Sequence, residues 1–275
     1  EPDGMRRKAK RSITFQKNGM VRSVSLQEQQ AVETPIGEFP AELVVFHETG
    51  ELSRFFVVDG QLSGFWTIED ERARNIPLAF ELDVASFRAM LTGIAFHPGG
   101  SIRSITLFPG EEIAVKLPSG RGLRARIGFS LFEDGALESV EPAAPAPVDT
   151  PIGRIEAFDP SALGVHADWN SLRFDGEGRV VALTTVTSRL TVFTEAGGSL
   201  QLAPKPVPSA LDPEKTELLP LRLTFDYQTG RFSAACGETF EFPLHATVIV
   251  SPFQGPDGGC SPDACASCRL CGHET

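Results

Sequence analysis

Tryptophan and tyrosine are nearly missing from this chain, two residues and one, against 20 phenylalanines. Phenylalanine has no polar tip to satisfy at a wet interface, so these rings are expected in a core. Cysteine is scarce as well: there are five in 275 residues, and four of them crowd between positions 260 and 271. A disulfide framework spreads its bridges through the fold, so these cysteines point to one site rather than to staples. Basic residues are outnumbered, 25 Lys and Arg to 36 Asp and Glu, for a formal charge of −11. Such a surface repels phosphate backbones, which argues against nucleic acid as a partner. The one basic run, Arg6, Arg7, Lys8, Lys10 and Arg11, reads as a solvated N-terminal tail over residues 1–12. No apolar segment behind it makes an export signal, and none reaches the roughly 18 residues of a membrane-spanning helix. The expectation is a cytoplasmic protein with no membrane partner.

Catalytic signatures are missing too. The chain has no H-E-x-x-H, no G-x-S-x-G, no Walker A loop and no G-x-G-x-x-G. Glu111 and Glu112 are adjacent, so on a strand their carboxylates fall on opposite faces and cannot flank one bond. Helical signal is meagre. Thr67 with Asp70 makes a capping box that opens a charged turn through Arg74, and Asp212-Pro213 opens a second short turn over residues 214–219.

What the chain has is repetition. Val32-Glu33-Thr34-Pro35-Ile36-Gly37 recurs 116 residues later as Val148-Asp149-Thr150-Pro151-Ile152-Gly153, and the same offset carries Gly19 to Gly135, Ser23 to Ser139, Val24 to Val140 and Ala41 to Ala157. This is a duplication, with copies over residues 13–128 and 129–253. A weaker third copy starts at Ala114-Val115-Lys116-Leu117-Pro118-Ser119-Gly120. The finer unit is a hairpin, an apolar segment, a polar turn with Gly and a second alternating segment, as in Phe46–Leu52, Phe96–Ile102 and Phe132–Leu137. In Ser101–Leu107 apolar and polar residues alternate, so one face packs and the other is wet. Thr-Pro-Ile-Gly supplies the reverse turns between hairpins, and Pro-rich 141–147 and 204–208 are loops or edges. The fold class is all-β: duplicated antiparallel β-hairpin repeats forming an extended or curved sheet, followed by a cysteine-rich flexible C-terminal tail over residues 254–275.

The stretch Phe55-Phe56-Val57-Val58-Asp59-Gly60-Gln61-Leu62-Ser63-Gly64-Phe65-Trp66 resembles the bacterial variant of the MORN repeat, an aromatic, a Gly turn, then Gly-aromatic. The duplicated Thr-Pro-Ile-Gly pattern with its hairpins also resembles an uncharacterised family of prokaryotic hypothetical proteins. The MORN likeness implies an elongated β-hairpin sheet that binds other molecules, with a protein as partner.

Chemistry has two candidate seats. The tail runs Cys260, Cys265, Cys268, Cys271 in C-x4-C-x2-C-x2-C spacing, with His273 two residues beyond. A C-x2-C-x2-C wrap suits a [4Fe–4S] cluster, in which each sulfur has its own iron, while zinc prefers two separated knuckles and is the alternative. Cys260 is the fourth ligand, with Cys236 and His273 as possible replacements. The second seat is an insertion in the second copy, where Gly135 to Gly178 spans 43 residues against 31 from Gly19 to Gly50. Its His166, Asp168 and Asn170 either present donors to a ligand or metal, or belong to a loop ordered by Asx turns and anchored by Trp169. His47 and His97 are turn residues, and His245 is a core histidine. The preferred function is a non-enzymatic binding or scaffold protein with a metal- or cluster-binding tail. The alternatives are a redox accessory protein that carries electrons or delivers a cluster, and an enzyme with its site at residues 166–170.

Overall fold

The computed structural model describes residues 13–58, 67–164, 166–194, 197–209 and 216–254. The basic run at 6–11, the second half of the MORN-like stretch, the start of the 212–219 turn and the tail cysteines with His273 lie outside them. Strand dominates the described residues and a single short helix is present among them, which makes the protein all-β. Among the described residues no helix is long and apolar enough to cross a membrane.

The chain advances as a meander. From β1 (Ile13–Phe15), β2 (Val21–Thr34), β3 (Gly37–Phe46) and β4 (Leu52–Phe56), it leaves the sheet through α1 (Ile68–Arg74), β5 (Leu78–Leu82) and β6 (Ala85–Ala89). It returns as β7 (Leu91–Phe96) and β8 (Ile102–Leu107), then passes through β9 (Ile113–Lys116) to β10 (Gly122–Leu131) and β11 (Leu137–Pro142). The hairpin β12 (Ala146–Thr150) and β13 (Gly153–Ala157) departs again before β14 (Leu172–Phe174) and β15 (Val180–Thr185). A last excursion, β16 (Ser188–Phe193), β17 (Ser199–Leu202), β18 (Lys205–Pro208) and β19 (Thr216–Leu219), precedes β20 (Leu221–Asp226), β21 (Arg231–Cys236), β22 (Glu238–Pro243) and β23 (Val248–Pro252). Thirteen strands pair antiparallel in one path from β1 to β22, with β9 on the side of β10. Strand Thr216–Leu219 replaces the helical turn expected there: it pairs with β18, whose Pro206 and Pro208 sit at a sheet edge.

Tight turns line one edge of the sheet. In five of them, and in the Leu117 and Thr194 turns elsewhere, residue i donates its N–H to the carbonyl of i+4, and the residue at i+3, always Gly, donates back to i over 2.8–3.1 Å. This is a three-residue loop closed by a left-handed residue, which a Cβ would strain. Gly19 and Gly135, related by the duplication, have φ of 84° and 86°. The turns are also stitched to one another. Gln16 donates to the Phe46 carbonyl at 3.3 Å, His47 Nε2 lies 3.2 Å from the Phe96 carbonyl, and His97 Nε2 lies 2.9 Å from that of Leu131. A carbonyl only accepts, so both imidazoles carry their proton on Nε2 and are structural.

Excursions leave from the opposite edge. Thr34-Pro35-Ile36-Gly37 and its copy are the tips of hairpins, not the links between them. In both, Thr Oγ1 donates to the Gly carbonyl, at 2.7 Å and 2.6 Å, and the two Gly φ values are 122° and 121°. A bulge between Ser25 and Gln30 bends β2–β3 over the sheet, so Phe39 stacks on Phe55 at 5.5 Å and on Phe80 at 5.8 Å. In the second copy the same path is cut, with β12–β13 as a separate hairpin and the insertion between β13 and β14. The third copy, Leu117–Gly120, is a likeness of letters, because it forms one of the tight loops instead. One core cluster joins both copies, and the 128/129 boundary falls inside β10.

Period-two alternation gives this sheet two unlike faces. On one face Val44, Phe55, Ile94, Ile105, Phe129, Val140 and Leu172 are register neighbours under the folded-back hairpins. On the other, the row Thr14, Ser23, Val45, Arg54, Ala95, Ser104, Ser130, Ser139, Arg173 crosses the sheet. Thr14–Ser23 and its copy Ser130–Ser139 even repeat the hydroxyl contact, at 2.5 Å and 2.6 Å. The first pair is partly solvated and the second is buried beneath the insertion. Ser139→Ala should therefore cost about 1–3 kcal/mol in urea unfolding, because it strands Ser130 and Asn170 in a dry site, while Ser23→Ala should cost well under half of that. Equal costs would place both pairs in the same solvent.

Candidate functional site

The insertion crosses the polar face as a strap, from Phe158 to Ser171. The segment Ser101–Leu107 was expected to keep a wet face, but Ser104 and Thr106 are buried under this strap. Buried polar groups need partners, and the strap supplies them. Ala167 N–H donates to Thr106 Oγ1 at 3.0 Å; Asn170 Nδ2 donates to Ser139 Oγ at 2.7 Å and to the Ala167 carbonyl at 2.9 Å. Asp168 accepts from Ser104 Oγ at 2.6 Å and pairs with the Arg54 guanidinium. Burial pushes the Asp168 carboxyl up, but Ser104, Arg54 and more weakly His166 outweigh it and hold it below the usual aspartate range.

Of the sequence-predicted trio, Asp168 and Asn170 thus come together on the sheet as fasteners. His166 makes no hydrogen bond to the sheet among the described residues; its side chain is 45% exposed, with Nδ1 3.9 Å from Asp168 Oδ2. The Asx turn is present at Asp159, which accepts from Ser161 N–H at 2.9 Å. Trp169, expected as the anchor, is 67% exposed; the polar fasteners took its place. His245, expected in the core, is exposed in the turn before β23. Cys236 is buried in β21, its thiol directed at the Leu219 carbonyl and pushed up by burial against a smaller opposing pull from Lys205. Among the described residues no group of three or more His, Cys, Asp or Glu is placed to hold a metal.

Where the strap rejoins the sheet, a cleft of about 480 Å³ opens between Ile127, Glu141, Asp159, Leu163, Trp169, Asn170, Ser171, Arg173 and Arg222. Sequence reading saw Glu141 only as the start of a Pro-rich loop. It is 1% exposed, and both oxygens are held by Ser171, from N–H at 2.8 Å and from the hydroxyl at 2.9 Å. Burial raises its carboxyl from 4.5 to about 7, against the pull of Ser171 and of the Arg126 charge, with Asp159 adding to the rise. The equivalent residue of the first copy is Ser25. The wall of the cleft is strained: Ile127 has φ 61°, the one positive value outside glycine among the described residues. Next to it Gly128 passes so close to β8 and the strap that a Cβ would lie 2.0 Å from the Ile105 carbonyl oxygen and 2.8 Å from Ala167 Cβ.

No family model, curated protein or solved structure matches the chain.

A carboxyl that titrates higher folded than unfolded stabilises fully below its unfolded value, and that contribution is lost as pH rises through the folded one. For Glu141 the window runs from 4.5 to about 7, a loss of about 3 kcal/mol as an order of magnitude. Urea unfolding at pH 5 and pH 8 should show Glu141→Gln gaining on the native chain by up to that amount at the higher pH. Parallel profiles for the two proteins would mean that this carboxyl is not desolvated.

Proposed function

We propose that this chain is a non-enzymatic binding or scaffold protein of the cytoplasm, with the β body presenting surfaces to a protein partner and the C-terminal cysteines binding a [4Fe–4S] cluster, or zinc in its place. The observation that carries the first half is the use of the insertion. Its Asp168 and Asn170, the side chains on which an enzymatic reading rested, are committed to Arg54, Ser104 and Ser139 and hold the fold closed. A carboxylate fixed below its usual range by two donors is a poor general acid or base.

The second half rests on spacing. Cys265, Cys268 and Cys271 put three thiolates within one short wrap, which suits the several irons of a cluster better than a single zinc ion. Cys236 is a poor fourth donor, because its thiol is buried and its thiolate disfavoured. Cys260 is therefore the fourth ligand, with His273 the nearest substitute in sequence. The chain enters the tail from β23, which among the described residues pairs with β16.

Anaerobic purification followed by iron, sulfide and zinc analysis tests this reading. Cys265→Ser, Cys268→Ser and Cys271→Ser should each remove most of the bound metal, whereas Cys236→Ala should leave the content unchanged. Ending the chain after Phe253 should abolish metal binding and leave the melting temperature of the body nearly as it was. Brown protein with iron and sulfide, but with metal content tied to turnover by a partner reductase, would favour the redox accessory role; full metal content in the truncated chain would overturn the tail as the site.

A further inference from the structure

We infer that the cleft where the strap rejoins the sheet binds a small organic anion with a flat apolar body, its carboxylate or phosphate held by Arg173 and Arg222 and its ring laid against Trp169 and Leu163. Charge placement is the first reason. In a chain of formal charge −11, with 36 acidic residues against 25 basic ones, Arg54, Arg72, Arg124, Arg154, Arg179 and Arg231 each find a carboxylate. Arg173 and Arg222 do not: among the described residues neither side chain is in an ion pair, and the Arg173 guanidinium stacks on the Trp169 ring at 4.6 Å. Both stand on the polar face of the sheet at the mouth of the cleft, Arg173 from β14 and Arg222 from β20. Planar forks so placed grip a carboxylate or phosphate through two parallel hydrogen bonds.

The acids nearby do not neutralise them. Glu141 is buried and held by Ser171, and Asp159 is buried and turned back onto Ser161. Apolar exposure is the second reason. Leu163 and Trp169, 81% and 67% exposed, lie together on this rim, where a soluble chain gains nothing from leaving two large side chains in water. Beside them are buried polar atoms without partners, Asn170 Oδ1 and Arg126 Nε. The volume, about 480 Å³, matches a small-molecule site rather than a protein groove. This site goes beyond the scaffold reading, since it needs neither the tail nor a protein partner.

The test uses the full chain carrying Trp66→Phe, so that Trp169 is the sole indole. Its emission is followed at fixed ionic strength while phenyl phosphate, benzoate, inorganic phosphate and benzyl alcohol are added in turn. The two aromatic anions should give saturable changes, inorganic phosphate a much weaker one and benzyl alcohol none. Arg222→Ala, at an exposed position of β20 where the fold does not need the side chain, should weaken phenyl phosphate roughly tenfold or more, and Arg222→Lys should restore part of the loss. Benzyl alcohol binding as well as phenyl phosphate, unchanged affinity in Arg222→Ala, or no saturation with either aromatic anion would each overturn the proposal. Metal content read on the same samples keeps a failure here separate from a failure of the tail.

Discussion

A hydrated row of hydroxyls cannot be buried in the middle of a sheet unless something brings hydrogen bonds to it, and here that something is Asp168. Arg54 on β4 and Ser104 on β8 are register neighbours across Ala95, and one carboxylate reaches both. The pair is half-buried, its side chains 15% and 13% exposed, so removing one partner leaves the other charge partly desolvated and uncompensated. With that contact made, Ala167, Asn170 and Ser171 fall onto Thr106, Ser139 and Glu141 in turn. The strap therefore fastens strands of both copies to each other, and the cleft exists because the strap has to come back down to the sheet.

The duplication explains why only one half has such a site. Both copies keep the same tight turns, the same Thr-Pro-Ile-Gly tips and the same cross-strand hydroxyl pair. In the first copy β3 runs unbroken from the tip back into the sheet, so no strap exists and Ser25 stands where the second copy has Glu141. An insertion at the break between β13 and β14 covered the polar face, and a carboxyl beneath it became desolvated. Equivalent positions thus carry different chemistry because one is under cover and the other is not.

The hairpins were legible because glycine at i+3 and period-two alternation are local signals, and the capping box of Thr67 and Asp70 was legible for the same reason. Ser104 and Thr106 were misread as solvated because alternation tells which residues share a face and says nothing about what covers it. The cover lies some 60 residues away in sequence, in a loop with no period. Trp169 looked like an anchor by size, yet inside a polar tract hydrogen bonds outweigh apolar area, so Asp168 and Asn170 turn inward and the indole is left outside. Glu141 gave no signal of its own; its partner, Ser171, comes from the far end of the insertion.

The account stands or falls on the strap being held by one half-buried pair, and a double-mutant cycle with Arg54→Met and Asp168→Asn measures that directly. Urea unfolding of the four proteins should give a coupling of about 1–3 kcal/mol. The solvated pair of Arg154 and Asp149, carried through the same cycle, should show no measurable coupling. A coupling between Arg54 and Asp168 no larger than that of the solvated pair would contradict the closure of the polar face by this contact.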